Sequence, residues 1–260
     1  MTKYIYLIIA HFVFNISFSQ VNTCGQIEYT LTKNIAYEYT EYYKMIFNDS
    51  ISYSEEIEIS KVKSKLVKDV DDEMLTNKII SGRKNETPAF YYKNKNEFYF
   101  SEIWDDEVLI VKENKFNWDW KLHTETKKIG DFTSQKATIK FRGRNYTAWF
   151  TNDIPVRYGP WKFQGLSGLI LEVYDDDYFL HITTTSINIR DSNNCTVKFN
   201  QKKLENSISV KEYLKKQIEL TKAKFAKISS KLPQGSKPLI LDENCEGCNS
   251  SKIEIFENEE

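Results

Sequence analysis

The feature that most constrains this chain is a repeated alternation of apolar and polar residues, in short runs that recur from residue 26 to residue 189. A period of two sends successive side chains to opposite faces, which is the geometry of a half-buried strand rather than of a helix. Such runs occupy 26–31, 90–92, 97–100, 108–111, 134–141, 145–151, 169–174 and 178–189. The polar stretch Lys93-Asn94-Lys95-Asn96 predicts a hairpin turn, and Asp175-Asp176-Asp177 predicts another. Trp118, Trp120 and Leu122 share one parity, so a strand there would turn them to one face and Asp119, Lys121 and His123 to the other. Short strands with few helices between them predict a mainly β (α+β) fold, a curved antiparallel sheet or half-barrel. The 16 Phe, 16 Tyr and 5 Trp favour pleated surfaces and supply a large core for one domain.

Two stretches leave this rhythm. Residues 54–77 are highly charged, with Ile57, Ile59, Val62, Leu66 and Val70 loosely spaced, and read as a strand followed by a helix or as an insertion. Ser209 and Glu212 match a capping box, and Val210, Tyr213, Leu214, Ile218, Phe225 and Ile228 recur at helical spacing as far as Ser229. This predicts a C-terminal amphipathic helix that lays its apolar stripe on the concave side of the sheet and turns its lysines outward.

Lys3, the apolar run 4–18 and the small-x-small triplet Ser17-Phe18-Ser19 predict a signal peptide over 1–19. A single β-rich domain over 20–232 and a polar tail over 233–260 follow from the patterning. The apolar run is shorter than the ~20 residues of a spanning helix and is interrupted by His11 and Asn15, so cleavage is favoured over anchoring. Lipid anchoring at Cys24 is disfavoured, because Val21-Asn22-Thr23 lacks the small residue that processing uses. The expected location is periplasmic or extracellular at the cell surface, with no transmembrane segment in the mature chain. Removing Lys3 with the leader moves the formal charge from −1 to −2, and without a basic excess no nucleic-acid partner is expected.

Cys24, Cys195, Cys245 and Cys248 all follow the leader, and an even number in an oxidising compartment predicts two disulfides, with three connectivities open. Cys245-Glu246-Gly247-Cys248 lacks the second pair of a zinc ribbon and the strand-to-helix setting of a redox site, so it too reads as structural. His123 and His181 stand alone in strand-like sequence, and Asp175-Asp176-Asp177 lacks the spaced donors of a calcium loop. No metal and no cofactor are therefore expected.

The run from Gly159 to Glu172 is the most specific local signal. Gly165-Leu166-Ser167-Gly168 breaks into the apolar Leu169-Ile170-Leu171, so it reads as a tight turn or bulge that re-aims the chain into a buried strand. Trp161 and Phe163 lie two apart, where they cover a sheet edge or line a pocket mouth. Together with Lys128-Ile129-Gly130, Gln135-Lys136-Ala137-Thr138, Phe141-Arg142-Gly143-Arg144, the stretch Tyr146-Thr147-Ala148-Trp149-Phe150-Thr151 and Ile154-Pro155, this run is similar to the GLPGLI family over about residues 115–190. The resemblance implies an exported protein of a type found mainly in Bacteroidota, with no established biochemical function. Ser167 stands where the family's name-giving Pro is expected, and Ser134 where many members resemble a Cys-Gln-Lys-Ala pattern. The second departure alters any cysteine pairing inferred from relatives.

The same segment imitates a nucleophile elbow, but the Gly-x-Ser-x-Gly pattern fails at Leu169, and Ser167 replaces a family proline. No residue is therefore assigned as catalytic. Arg142 and Arg144 flank Gly143, where they could hold a carboxylate or phosphate or form surface ion pairs. The leading expectation is a non-enzymatic envelope protein that binds a small hydrophobic or peptide-like ligand, or a protein partner, with Trp161, Phe163, Arg142 and Arg144 as the ligand-binding set. The alternatives are an envelope hydrolase whose polar groups converge only in three dimensions, and a structural surface protein.

Overall fold

The computed structural model describes residues 23–34, 38–57, 89–93, 97–104, 107–113, 116–190, 197, 200–237 and 253–256. The leader predicted over 1–19, residues 58–77 of the charged stretch, and Cys195, Cys245 and Cys248 lie outside the described residues. Twelve strands form one sheet that does not close into a barrel. They are β1 (Cys24–Asn34), β2 (Glu38–Phe47), β3 (Ile51–Glu56), β4 (Ala89–Lys93), β5 (Glu97–Trp104), β6 (Glu107–Glu113), β7 (Lys121–Ile129), β8 (Phe132–Phe141), β9 (Arg144–Thr151), β10 (Leu169–Asp175), β11 (Leu180–Arg190) and β12 (Ile208–Ser209). Their order is β12-β6-β5-β4-β3-β2-β1-β11-β10-β9-β8-β7. Two antiparallel meanders, β1 to β6 and β7 to β11, are thus stitched together where β1 pairs with β11.

This order dictates the curvature. From β6 to β7 there are ten strand-to-strand steps, roughly 48 Å across a flat sheet at the usual strand spacing. Yet the chain runs from Glu113 to Lys121, eight residues that reach about 29 Å when fully extended. The sheet must therefore curl until its far ends approach each other. Glu113 at the end of β6 indeed lies 2.6 Å from Arg142, in the turn between β8 and β9.

The main core lies on one face of β1, β2 and β8 to β11, covered by the loop between β9 and β10, whose Ile154, Val156, Tyr158, Trp161, Phe163 and Leu166 are all buried. The loop is sewn to the strand that follows it, since the Leu169 N–H donates to the Ile154 carbonyl and the Ile170 N–H to the Tyr158 carbonyl. A second cluster joins Phe100, Leu109 and Val111 to the start of the helix α1 (Val210–Ser229). That helix begins at the predicted Ser209 and Glu212 capping box. It does not lie along the sheet, however. Of its residues only Val210 and Tyr213 are buried, Leu214 and Leu220 pack in part on the same cluster, and Ile218 and Ile228 are 38% and 40% exposed, so its N-terminal turns as far as Leu220 dock on the β6 and β12 edge.

The parity expected around Trp118 also fails at one point. Trp118 and Trp120 stack at 6.0 Å, but Leu122 is 56% exposed and His123 is half-buried, 2.8 Å from Thr138 Oγ1. Residues 116–120 are not strand, and the Trp120 N–H turns back to the Trp118 carbonyl at 2.9 Å, so a period of two does not carry from Trp120 into β7, which begins at Lys121. Cys24 opens β1 fully buried, and among the described residues no cysteine is free.

Candidate functional site

The loop that covers the core carries a charge into it. Lys162 is 3% exposed, although it sits between the buried rings of Trp161 and Phe163. Trp161 has φ +55, a left-handed conformation that costs a bulky residue about 1–2 kcal/mol. Its N–H donates to the Tyr29 hydroxyl at 3.3 Å, and its ring packs on Phe141 and Phe163. Held this way, the backbone sends the next side chain, Lys162, inward. Strain kept at a buried charge is a pointer to function.

Lys162 Nζ meets Glu113 Oε2 at 2.9 Å and both carboxylate oxygens of Glu254 at 2.9 Å, and it lies 3.9 Å from the centroid of the Phe100 ring. Arg142 completes the group. Its guanidinium lies 2.6 Å from Glu113 Oε1, 3.8 Å from Glu254 Oε1 and 4.0 Å from the Phe256 ring centroid. Arg142 too is left-handed, at φ +48, and with Gly143 at φ +76 it makes the two-residue turn between β8 and β9. A turn with both central residues at positive φ suits the twist of its hairpin.

Two cations and two carboxylates sum to zero, and the electrostatics follow from that balance. Burial by itself would neutralise Lys162, but Glu113 and Glu254 outweigh it and hold the ammonium above its ordinary pKa. Burial likewise pushes the Glu113 carboxyl up, and Lys162 and Arg142 more than reverse it, so Glu113 lies below the carboxylate range. Glu254 goes the other way. Burial and the neighbouring Glu113 hold it above that range despite Lys162 and Arg142.

Beside Lys162 lies a small cavity of about 10 Å³, lined by Ser52, Phe98, Tyr158, Gly159, Trp161, Lys162, Phe163 and Gln164. A buried water needs about 10–15 Å³ and small-molecule pockets are usually about 300–1,000 Å³, so this cavity has room for about one water and not for a ligand. Of the residues singled out in the sequence, Trp161 and Phe163 line it and Arg142 stands behind Lys162. Arg144 is elsewhere, 3.5 Å from Asp175 Oδ2, 3.9 Å from Asp177 Oδ2 and 4.2 Å from the Phe179 ring centroid, at the β10–β11 turn. Lys162, Glu113 and Glu254 were not singled out. A lone lysine between two aromatic residues, and a lone acid between Ile253 and Ile255 in a polar stretch, were the signals available.

The glycine signature frames the same loop. Gly165 has φ +97, and a Cβ there would lie 2.8 Å from Trp118 Cβ, while a Cβ on Gly168 would fall 1.9 Å from the Thr151 carbonyl oxygen. Leu166, Leu169 and Ile170 are buried. Ser167 is exposed, and its hydroxyl lies 2.7 Å from Asn152 Oδ1.

A separate polar group joins Glu172, Lys127, His181 and Thr183. His181 Nε2 is 3.1 Å from Glu172 Oε1 and 3.2 Å from Thr183 Oγ1. A hydroxyl–base–carboxylate relay needs the two partners on different ring nitrogens, and here both meet Nε2, so the group is an ion-pair network and not a triad. Among the described residues no group of three His, Cys, Asp or Glu side chains is spaced to hold a metal, and no helix is long and apolar enough to cross a membrane.

Residues 140–172 match a family described as a protein of unknown function (Porph_ging), a span that takes in Arg142, Arg144, Trp161, Lys162 and the glycine signature. No curated protein matches the chain. Among solved structures it is similar to PNGF-II in two crystal forms. One match has 16% identity and a TM-score of 0.51, and covers 76% of this chain and 34% of that one. The other has 17% identity with the same TM-score, and covers 78% and 34%. The chain thus spans about a third of PNGF-II, and at this identity the likeness shows a shared fold alone.

Proposed function

We propose that this is an exported envelope protein of the GLPGLI type, released from the signal peptide 1–19, that binds a peptide-like, carboxylate-bearing partner without transforming it. The observation that carries this reading is Lys162, a cation buried behind strained backbone between Trp161 and Phe163 and met there by Glu254, an acid from a distant segment. A buried ammonium is retained only where carboxylates compensate it, and Glu113 and Glu254 do so here, which supports an acidic side chain as the kind of group that meets Lys162. Export is supported by the leader and by the even cysteine count, which suits an oxidising compartment.

Native mass spectrometry of the mature protein purified from its host tests this reading. A peptide-sized adduct is expected on the wild type and is expected to be lost in Gln164→Trp, which changes the surface beside Trp161 and Phe163 and leaves the ion cluster in place. Repeated recovery of bare protein, or an adduct that survives Gln164→Trp, overturns it.

A further inference from the structure

The lysines of this chain are unevenly placed. Residues 210–237 hold eight lysines and two glutamates, a formal charge of +6 on a chain whose net charge is −1. From residue 220 to residue 237 there are five lysines and no acid. Most of this stretch is α1, whose buried residues, Val210 and Tyr213, both lie at its N-terminal end.

Along α1, Leu214, Ile218, Thr221, Phe225 and Ile228 follow one another at spacings of four, three, four and three, which places them in a single stripe. Leu214 packs on the second cluster, but Ile218, Ile228 and, in the turn that follows, Leu232 are exposed. Thr221 brings no polar group to the stripe, since its hydroxyl donates back to the Gln217 carbonyl at 2.8 Å. Lys215 and Lys222 border the stripe on one side and Gln217 and Lys224 on the other, with no acid at any of these positions.

These borders decide what can cover the stripe. A second copy of the helix would set lysine against lysine, at the positions where a coiled coil places its opposite charges. The complement is therefore an anionic surface. A helix of a particular protein is held in register by a polar or charged group within the seam, and this stripe carries none. A lipid surface needs no register, only apolar side chains that enter the headgroup boundary and cations that meet its phosphates. Among the described residues no helix is long and apolar enough to cross a membrane, so α1 would lie on the surface rather than span it. We propose that the C-terminal half of α1 and the turn after it dock on a bilayer rich in anionic phospholipid, with Lys224, Lys227 and Lys231 as the cations and Ile218, Phe225 and Ile228 as the apolar groups. This docking is independent of the site at Lys162.

Co-sedimentation of the mature chain with vesicles is the test, using phosphatidylcholine alone and phosphatidylcholine with about 30% phosphatidylglycerol. The wild type is expected to partition at least about tenfold more strongly onto the anionic vesicles, and to lose most of that preference in about 0.5 M salt. The triple substitution Lys224→Gln, Lys227→Gln, Lys231→Gln should lower binding about tenfold or more. Ile228→Ser alone should lower it severalfold, with far-UV circular dichroism showing the helix retained. Equal partition onto both vesicles, no binding to either, or full binding by the triply substituted protein overturns the proposal. Should a variant not fold, the contrast between the two vesicles and its salt dependence on the wild type decide. Sedimentation velocity tests the other occupant. A wild type that dimerises, with the dimer lost in Ile228→Ser, assigns the stripe to a second copy and overturns the membrane assignment. Absence of vesicle binding while host-derived adducts persist removes this proposal and leaves the reading of Lys162 standing.

Discussion

At the scale of single residues, the decisive positions are those where chemistry and backbone disagree. Lys162 is the clearest, a full charge in a core of rings, stable only because Glu113 and Glu254 reach it. Replacing it with Met leaves Glu113 and Glu254 to share Arg142 alone, which is 3.8 Å from Glu254. Loss of one partner from a buried ion group typically costs about 3–5 kcal/mol. Urea denaturation of Lys162→Met is expected to show a loss of that size, with an unchanged denaturant slope. Gly168 is decisive for a different reason. A Cβ there would enter the Thr151 carbonyl, and the atoms it meets are all backbone of Thr151 and Asn152, so no flexible side chain can yield. Gly168→Ala is expected to cost more than about 4 kcal/mol or to prevent folding, read by the same denaturation and by expression yield. Ser167, one residue earlier and exposed, is expected to accept Pro or Ala with little change.

At the scale of elements, α1 combines a strong start with a weak hold. The capping box sets where it begins, and Val210 and Tyr213 anchor its first turns. Beyond them the helix is largely exposed, as Ile218 and Ile228 show. Ser209→Ala is expected to cost about 1 kcal/mol through the lost cap. Tyr213→Ala should cost about 3 kcal/mol or more, because it removes both the edge contact with Phe100 and the hydroxyl on Glu102. Ile228→Ser should stay within about 0.5 kcal/mol. Equal costs at Tyr213 and Ile228 in thermal or urea unfolding would contradict docking by the N-terminal turns.

At the scale of the whole molecule, an open sheet is drawn nearly shut, and its seam is closed by charge and side-chain packing rather than by a backbone ladder. That makes closure sensitive to acid in two opposed ways. Glu254 lies above its ordinary pKa in the folded protein, so the folded state takes up its proton first, and stability rises as pH falls toward the carboxylate range of about 4.3. Glu113 and Glu172 lie below their ordinary values. For Glu172, burial is outweighed by the hydrogen bond from His181 and by Lys127. Their stabilisation is full above the carboxylate range and is lost as pH falls through their depressed values. Chemical denaturation against pH is therefore expected to show a shallow gain on approach to that range and a loss below it. Glu254→Gln should flatten the gain and keep the loss, and a stability curve that only falls on acidification would refute the assignment to Glu254.

Much of this fold was legible in the residues themselves. The strands at 26–31, 134–141, 145–151 and 169–174, the hairpin joining 90–92 to 97–100, and the capped helix all rest on local patterning, in which side-chain periodicity and turn chemistry act within a few residues. β2 was not legible, because its residues do not alternate cleanly and its register is imposed by β1 and β3. The exposure of Leu122 was hidden because residues 116–120 leave strand geometry and break the parity that their spacing suggests. The burial of Glu254 was equally hidden, since an acid in a polar stretch looks solvated until a distant lysine is brought to it. The sequence by itself determined a β-rich chain with one helix and a glycine-framed corner, since such preferences are settled by neighbours along the chain. The tertiary structure alone decided that β6 and β8 meet, that Lys162 points inward, and that residues 253–256 lie in the seam, because contacts between distant segments depend on the curvature of the entire sheet.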